Sequence, residues 1–464
     1  MASHSKLQKL SNPDRISDLP DSLLLHILSF LPLKSAALTS SLSNRWKHLC
    51  LSLPNLDFNH EDFTANPTNF FKCVDHLLTA RRNNAVLDRF SIACSEDMDA
   101  GRVDFWLCRL VGCYNVKVIN LSLDFTDPYR LPTQVYQCET LEALTLNSNI
   151  LIDVPEILTL PRLGVLELCG VVFSSSESGD KLLSNCPVLE RLVIQDCSCL
   201  SGNRVNIVGS GLKTLRLQYS EFFDEEFELM FVIDAPAVVN LYINRSKGVE
   251  IKSRMPFLEM ATIDDYVEQR ELSTVRTDRL FGIVEMIPHV RRLTLCSDAV
   301  VALSGADKHT LPIFHNLTDL ELSFNGEAVR AAWSFLPKVL ASSLVLVKLV
   351  LPHGLPRGFH AERRRSRLSF IKPEIVPACL SFHLKNIEIR DFWGTTEELI
   401  IIEYMLKHAR VLNKMSIDCS RLWLKEMTVG IKRKRHRPLI LSEIKKKVLE
   451  FHRCSTSCKL DLSP

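Results

Sequence analysis

Apolar residues follow two rhythms along this chain, and the change between them divides it. Near the N-terminus Leu24, Ile27, Leu28 and Leu31 recur at i, i+3, i+4 and i+7, one stripe of an amphipathic helix. Leu23, Leu25 and Phe30 fill its other faces, so this helix must be covered on more than one side. Asp18 and Asp21 lie at its start, Pro20 suits a first turn, and Pro32 closes it. A second stripe runs through Leu38, Leu42, Trp46 and Leu49. The pattern predicts two short helices back to back, without enough apolar partners of their own to fold alone.

From about residue 85 the rhythm becomes leucine-x-x-leucine-x-leucine, a short strand with alternate side chains buried beside a turn or helix. Clear copies start at Leu141, Leu163, Leu189, Leu212, Leu317 and Leu346. Looser ones start at Leu87, Val118, Val238, Leu258, Val290, Leu384 and Leu412. Between 118 and 238 the steps run from 22 to 26 residues. That fits the period of leucine-rich repeats, roughly 20–29 residues. Each unit exposes an apolar edge that only the next can cover, so the array is predicted to stack into a curved solenoid.

Three segments carry family resemblances. Asp14, Arg15 and Ile16, then Leu19-Pro20, the leucine-rich helix from Leu23, Leu31-Pro32 and finally Arg45-Trp46 stand in an order and spacing that closely resemble the F-box motif. That resemblance spans 13–58 and implies docking onto a Skp-type adaptor and, through it, a cullin ubiquitin ligase. It assigns the adaptor contact to Ile16, Leu19, Pro20, Leu24, Ile27, Leu28, Leu31, Pro32 and Trp46. Inside the repeats, expected over 85–352, Lys181–Cys197 reads as helix, Cys-Pro corner and strand. Its Cys186, Pro187, Leu189, Glu190 and Leu192 look like the irregular repeats of plant F-box proteins.

The C-terminal quarter, 374–464, reads as strand, turn at Gly394, helix and strand. Gly394, Glu398, Tyr404, Leu406, Ala409, Leu412, Met415 and Ile417 resemble the FBD domain that often follows an F-box and leucine-rich repeats in plants. The closing stretch looks like that domain's final strand, and a basic insert between Ser420 and Pro438 departs from the pattern. The expected fold is therefore α/β: a small N-terminal helical F-box, a curved leucine-rich-repeat solenoid and a C-terminal α/β FBD domain.

Composition narrows the functional classes. A net charge of +2 over 464 residues gives little electrostatic footprint for nucleic acid. No apolar run approaches the roughly 20 residues of a membrane-spanning helix. The polar start of the chain lacks the layout of a signal peptide, so cytoplasm and/or nucleus is expected. In a reducing compartment the fifteen cysteines read mostly as small buried hydrophobes. The closer sets, Cys197 with Cys199, Cys108 with Cys113, and His452 with Cys454 and Cys458, have no second pair at zinc spacing, so no metal is expected.

No GxSxG elbow, phosphate-cradling glycine loop or HExxH pair occurs, and neither enzyme activity nor a cofactor is expected. Candidate target contacts are the outward residues of the repeats, Glu142, Thr145, Glu167, Arg191, Lys213 and Arg216. The basic runs Arg363–Arg367 and Lys432–Arg437 and the acidic group Glu221, Asp224, Glu225 and Glu226 read as solvated loops. A nuclear import signal is the sharper reading of the second basic run. The functional expectation is a substrate receptor of a Skp–cullin–F-box ligase whose target is unknown. A repeat scaffold outside any ligase, or a hormone co-receptor, stands as the alternative.

Overall fold

The computed structural model describes residues 16, 18–63, 67–81, 87–147, 149–220, 228–265, 274–304, 309–324, 329–354, 373–421 and 441–463. Asp14 and Arg15, the acidic group from Glu221 to Glu226 and both basic runs lie outside the described residues. The chain forms two compact units, Met1–Ile150 with Pro155–Arg162, and Leu151–Val154 with Leu163–Pro464.

In the first unit, three helices stand where two were expected: α1 (Asp21–Ser29), α2 (Leu33–Leu38) and α3 (Asn44–Leu51). The break has a local cause. A 3-10 turn at Thr39–Ser41 ends α2, and Ser43, in extended backbone, caps α3 by accepting from the Trp46 N–H at 3.4 Å. The predicted second stripe is thereby split: Trp46 and Leu49 are buried, Leu38 and Leu42 exposed.

Strands β1 (Asn55–Asn59), β2 (Arg89–Asp97), β3 (Val118–Asp124) and β4 (Ala143–Asn147) follow in the same unit as a parallel ladder. Two apolar rows cross it, Leu56–Phe90–Ile119–Leu144 and Phe58–Ile92–Leu121–Leu146, all buried. Helices α4 (Pro67–Ala80) and α5 (Ala100–Tyr114) bring Phe70, Val74, Leu78, Trp106 and Leu110 into the core, with Phe70 meeting Phe58 edge-on at 6.5 Å. The first strand, with Leu56 and Phe58 buried and the buried Leu53 just ahead of it, lies within 13–58, the segment that resembles the F-box. The copy placed at Val118 is set instead by Val116, Ile119 and Leu121, because Val118 is only half-buried.

The second unit continues the pattern through β5 (Val165–Cys169), β6 (Arg191–Gln195), β7 (Thr214–Gln218), β8 (Asn240–Asn244), β9 (Met260–Asp264), β10 (Arg292–Leu295), β11 (Asp319–Leu322), β12 (Lys348–Leu351), β13 (Asn386–Ile389), β14 (Lys414–Asp418) and β15 (Lys459–Ser463). Each pairs in parallel with the next. Its connections carry α6 (Ser176–Ser184), α7 (Thr274–Met286), α8 (Ser297–Ser304), α9 (Val329–Ser342), α10 (Ala378–Phe382), α11 (Thr396–His408) and α12 (Leu441–Glu450). From β5 to β14, the second and fourth residues of each strand are buried. Opposite neighbours lie in register, as in Leu166–Leu192–Leu215–Leu241. The C-terminal segment is no separate layer, since Leu349, Ile387, Met415 and Leu460 extend the same row. Among the described residues no helix is long and apolar enough to cross a membrane.

Polar pairs brace the ladder where leucines do not. Before α11, Gly394 takes a φ of 71°, a left-handed turn that a β-carbon disfavours. The fully buried Glu398 then accepts from the Thr395 N–H at 2.9 Å, and the Thr395 hydroxyl oxygen accepts from the Glu398 N–H at 3.2 Å, closing a capping box. At the far ends of β8 and β9 two buried ion pairs tie down the following loops: Arg245 with Glu228, and Arg276 Nε with Asp265 Oδ2 at 2.6 Å. Asp265 also accepts from the Ser246 N–H at 2.6 Å.

Breaking one partner of a buried pair strands the other charge, at a cost of about 3–5 kcal/mol. Arg276→Met should therefore lower unfolding stability by about that much, whereas Asp265→Asn with Arg276→Met should lose less than half as much. Urea titration of the three proteins checks the order; equal losses would contradict the pair. All fifteen cysteines are free thiols. Burial pushes the thiols of Cys186, Cys197, Cys296 and Cys379 up to about 12 and that of Cys419 to about 11. Unfolded thiols ionise near about 8.5, so the folded chain holds more protons above that pH. Stability from these groups is then complete below about pH 8.5 and falls as pH rises toward 12. The urea midpoint should be lower at about pH 10.5 than at 7.5, and equal midpoints would refute the linkage.

Candidate adaptor-docking surface and repeat face

Helix α1 carries two apolar stripes, and the fold uses only one. Leu24 and Leu28 are buried to 0% and 1% exposure. Leu23 and Ile27, one turn apart, begin a second stripe that stays in solvent and continues past the helix end through Phe30, at 74% exposure, and Leu31. The helix is fixed from its N-terminal end. Arg45 on α3 donates from Nε to Asp21 Oδ1 at 2.9 Å and from Nη2 to the Leu19 carbonyl at 2.5 Å. Cys50 Sγ and the Thr39 hydroxyl both donate to the Ala36 carbonyl, at 2.9 and 2.6 Å, and join α2 to α3.

The predicted adaptor residues accordingly separate. Ile16, Pro20, Ile27, Leu31 and Pro32 are exposed and Leu19 is half-buried. Leu24, Leu28 and Trp46 lie inside the motif, so they support the surface and do not present it. The reason is geometric: a stripe at i, i+3, i+4, i+7 on a helix this apolar straddles two faces, and α3 covers one of them. Leu23, Phe30, Leu38 and Leu42 belong on the exposed side. Their signal was already in the sequence, as the apolar residues left over once one stripe had been assigned.

Outward residues of the repeats behave differently. Glu142 is exposed and Thr145 half-buried in the first unit. In the second, Glu167 accepts from Arg191 Nε at 2.9 Å and Glu190 from Lys213 Nζ at 2.6 Å. The Arg216 guanidinium lies 4.2 Å from the Tyr242 ring centroid, a cation–π contact, and the Tyr242 hydroxyl faces Asp264 at 3.5 Å. These side chains pair with each other along the ladder. Tyr242 and Asp264 were not singled out by sequence, although their third and fifth strand positions place them on the open face. Among the described residues no cluster of three or more His, Cys, Asp or Glu could hold a metal ion.

Comparison with known proteins agrees with this layout. A family model for the F-box domain matches residues 16–58, one described as the LRR repeats of FBD-associated F-box protein At5g56370 matches 106–261, and the FBD model matches 372–417. F-box/LRR-repeat protein At4g14103 of Arabidopsis thaliana is 32% identical over 357 residues, covering 73% of this chain and 91% of the relative. F-box/FBD/LRR-repeat protein At4g00160 of the same plant is 28% identical, covering 89% of this chain and 88% of the relative. Among solved structures, a chain in the yeast Rad7 and Elc1 complex is similar at 13% identity, covering 76% of this chain and 91% of that one, with a TM-score of 0.28, too low to equate the folds. An F-box implies a Skp-type adaptor as partner and a general role in substrate recognition. The helical surface, the leucine ladder and the C-terminal extension thus have one common explanation: the chain belongs to the plant F-box/LRR-repeat family, in the form that also carries an FBD domain.

Proposed function

We propose that this chain is the substrate-recognition subunit of a Skp–cullin–F-box ubiquitin ligase. The exposed stripe of α1 docks the adaptor, the adaptor links to a cullin, and the repeats hold a target protein. The observation that carries this reading is a row of large apolar side chains left in water on a helix whose other stripe is already spent in the core. An exposed apolar row on an otherwise well-packed motif marks an interaction surface. Holding target and charged ubiquitin together raises their effective concentration, and the chain contributes no bond-making groups of its own. The cytoplasm or nucleus, where such ligases assemble, is the proposed location.

The surface can be separated from the core by mutation. Ile27→Asp with Leu31→Asp changes exposed positions, where substitutions typically move stability by no more than about 0.5 kcal/mol. Each truncated anchor in a desolvated contact commonly costs about 2 kcal/mol of binding or more. The double variant should therefore keep its thermal midpoint yet bind purified Skp-type adaptor at least about 30-fold more weakly in calorimetry. Leu28→Ala should do the reverse first, lowering the thermal midpoint through a core loss of about 2–5 kcal/mol. Adaptor binding at wild-type strength by the folded double variant would defeat the proposal.

A further inference from the structure

Where the chain turns into β9, β10, β11 and β12, four successive turns leave an open groove of about 600 Å³. It lies on the edge of the ladder and not on its open face. Each turn offers the residue just before the buried one that leads its strand: Phe257 before Leu258, His289 before Val290, Asn316 before Leu317 and Val345 before Leu346. Phe257, 66% exposed, and Val345 supply apolar surface at the two ends. Between them the His289 and His315 rings lie 5.8 Å apart and 29° from parallel, with the exposed Arg291 beside them.

The charges here are unspent. On the open face of the same ladder Arg191, Lys348, Arg390 and Lys414 each have a carboxylate within 4 Å, and at the edge position of an earlier repeat Lys213 has Glu190. Among the described residues the side chains of His289, Arg291 and His315 have no hydrogen bond or ion pair. Glu259 is the one carboxylate among the described lining residues. Four turns about 4.8 Å apart span about 14 Å, the length of roughly four extended residues. A groove of this volume is within the usual range of ligand sites, about 300–1,000 Å³.

The geometry points to this groove as the docking site of an extended acidic peptide segment. Its carboxylates lie against Arg291 and the two histidines, and an apolar side chain packs on Phe257 and Val345. The inference rests on the reading of the repeats as the target-holding part and locates that contact on the edge of β9–β12.

The test uses the full chain and fluorescein-labelled hexapeptides in low salt, read by fluorescence anisotropy. One peptide is Asp-Asp-Leu-Phe-Asp-Asp and the other Lys-Lys-Leu-Phe-Lys-Lys. The acidic peptide should bind at least about tenfold more tightly. Arg291→Glu should weaken it at least about tenfold, Glu259→Gln should tighten it severalfold, and Arg216→Glu on the open face should leave it unchanged. Equal binding of the two peptides overturns the assignment, as does equal loss in the Arg216 and Arg291 variants, or preference for single-stranded oligothymidylate over the acidic peptide. Adaptor binding measured on the same preparations keeps the two readings apart. Adaptor bound without peptide preference sinks the groove alone, and peptide preference without adaptor binding sinks the ligase reading alone.

Discussion

A strand that buries only two side chains cannot stand by itself, and that constraint organises most of this molecule. Burying one leucine contributes about 1.5–3 kcal/mol, less than the cost of ordering the residues around it. Each strand becomes stable only when the next repeat sets its own two apolar residues in register alongside, as Leu192 does for Leu166 and Leu215 for Leu192. Stability is then a chain of neighbour terms. The C-terminal strands obey the same rule: Met415 and Leu460 continue the row begun by leucines of the repeats, so the FBD segment inherits its footing from the last repeat beside it.

The ladder fixes two positions per strand and leaves the connections open, and it is in the connections that this chain turns from leucine to polar braces. Arg245 with Glu228 and Arg276 with Asp265 hold loops whose backbones leave the sheet, and Glu398 does the same for the turn into α11. Each is buried, so each acts with geometry and charge where an apolar contact would have no direction. The same logic shapes α1, where one helix carries one stripe for folding and one for a partner. Arg45 binds the Leu19 carbonyl and Asp21 and so sets which stripe faces inward.

Periodic features were legible in the sequence because leucine spacing is itself the physical cause of the ladder. Strand positions from Leu141 onward, the helix that follows Gly394, and the F-box layout all follow from spacing or resemblance. What was not legible depended on context. Leu53, Leu56 and Phe58 read as the tail of the helical motif because a proline and two polar residues interrupt them, and only pairing with β2 shows a strand. Val116 and Val118 are two valines two residues apart that spacing does not tell apart, and burial alone decides the frame. The split between the two stripes of α1 needed the position of α3. The groove was invisible for a plainer reason: Phe257, His289, Asn316 and Val345 share a place in the repeat and no chemical type.

That contrast bears on where a repeat surface can bind tightly. On the open face Glu167 already holds Arg191, and Glu388 holds Arg390. A partner's charge arriving there must displace an existing pair that is itself worth only about 0–1 kcal/mol, and the exchange gains little. At the turns before β10 and β11 the cationic and cation-capable groups, Arg291 with His289 and His315, have no such partner among the described residues, and apolar surface flanks them on both sides. A carboxylate docking there forms its pair without breaking one, in surroundings that shed water as the neighbouring Phe257 is covered. The outward face of a regular ladder tends to neutralise itself, because strand neighbours sit in register at a fixed spacing. At the edge the same pairing occurs in Lys117 with Asp88 and Lys213 with Glu190, and Arg291 stands out because it has no carboxylate within 4 Å among the described residues.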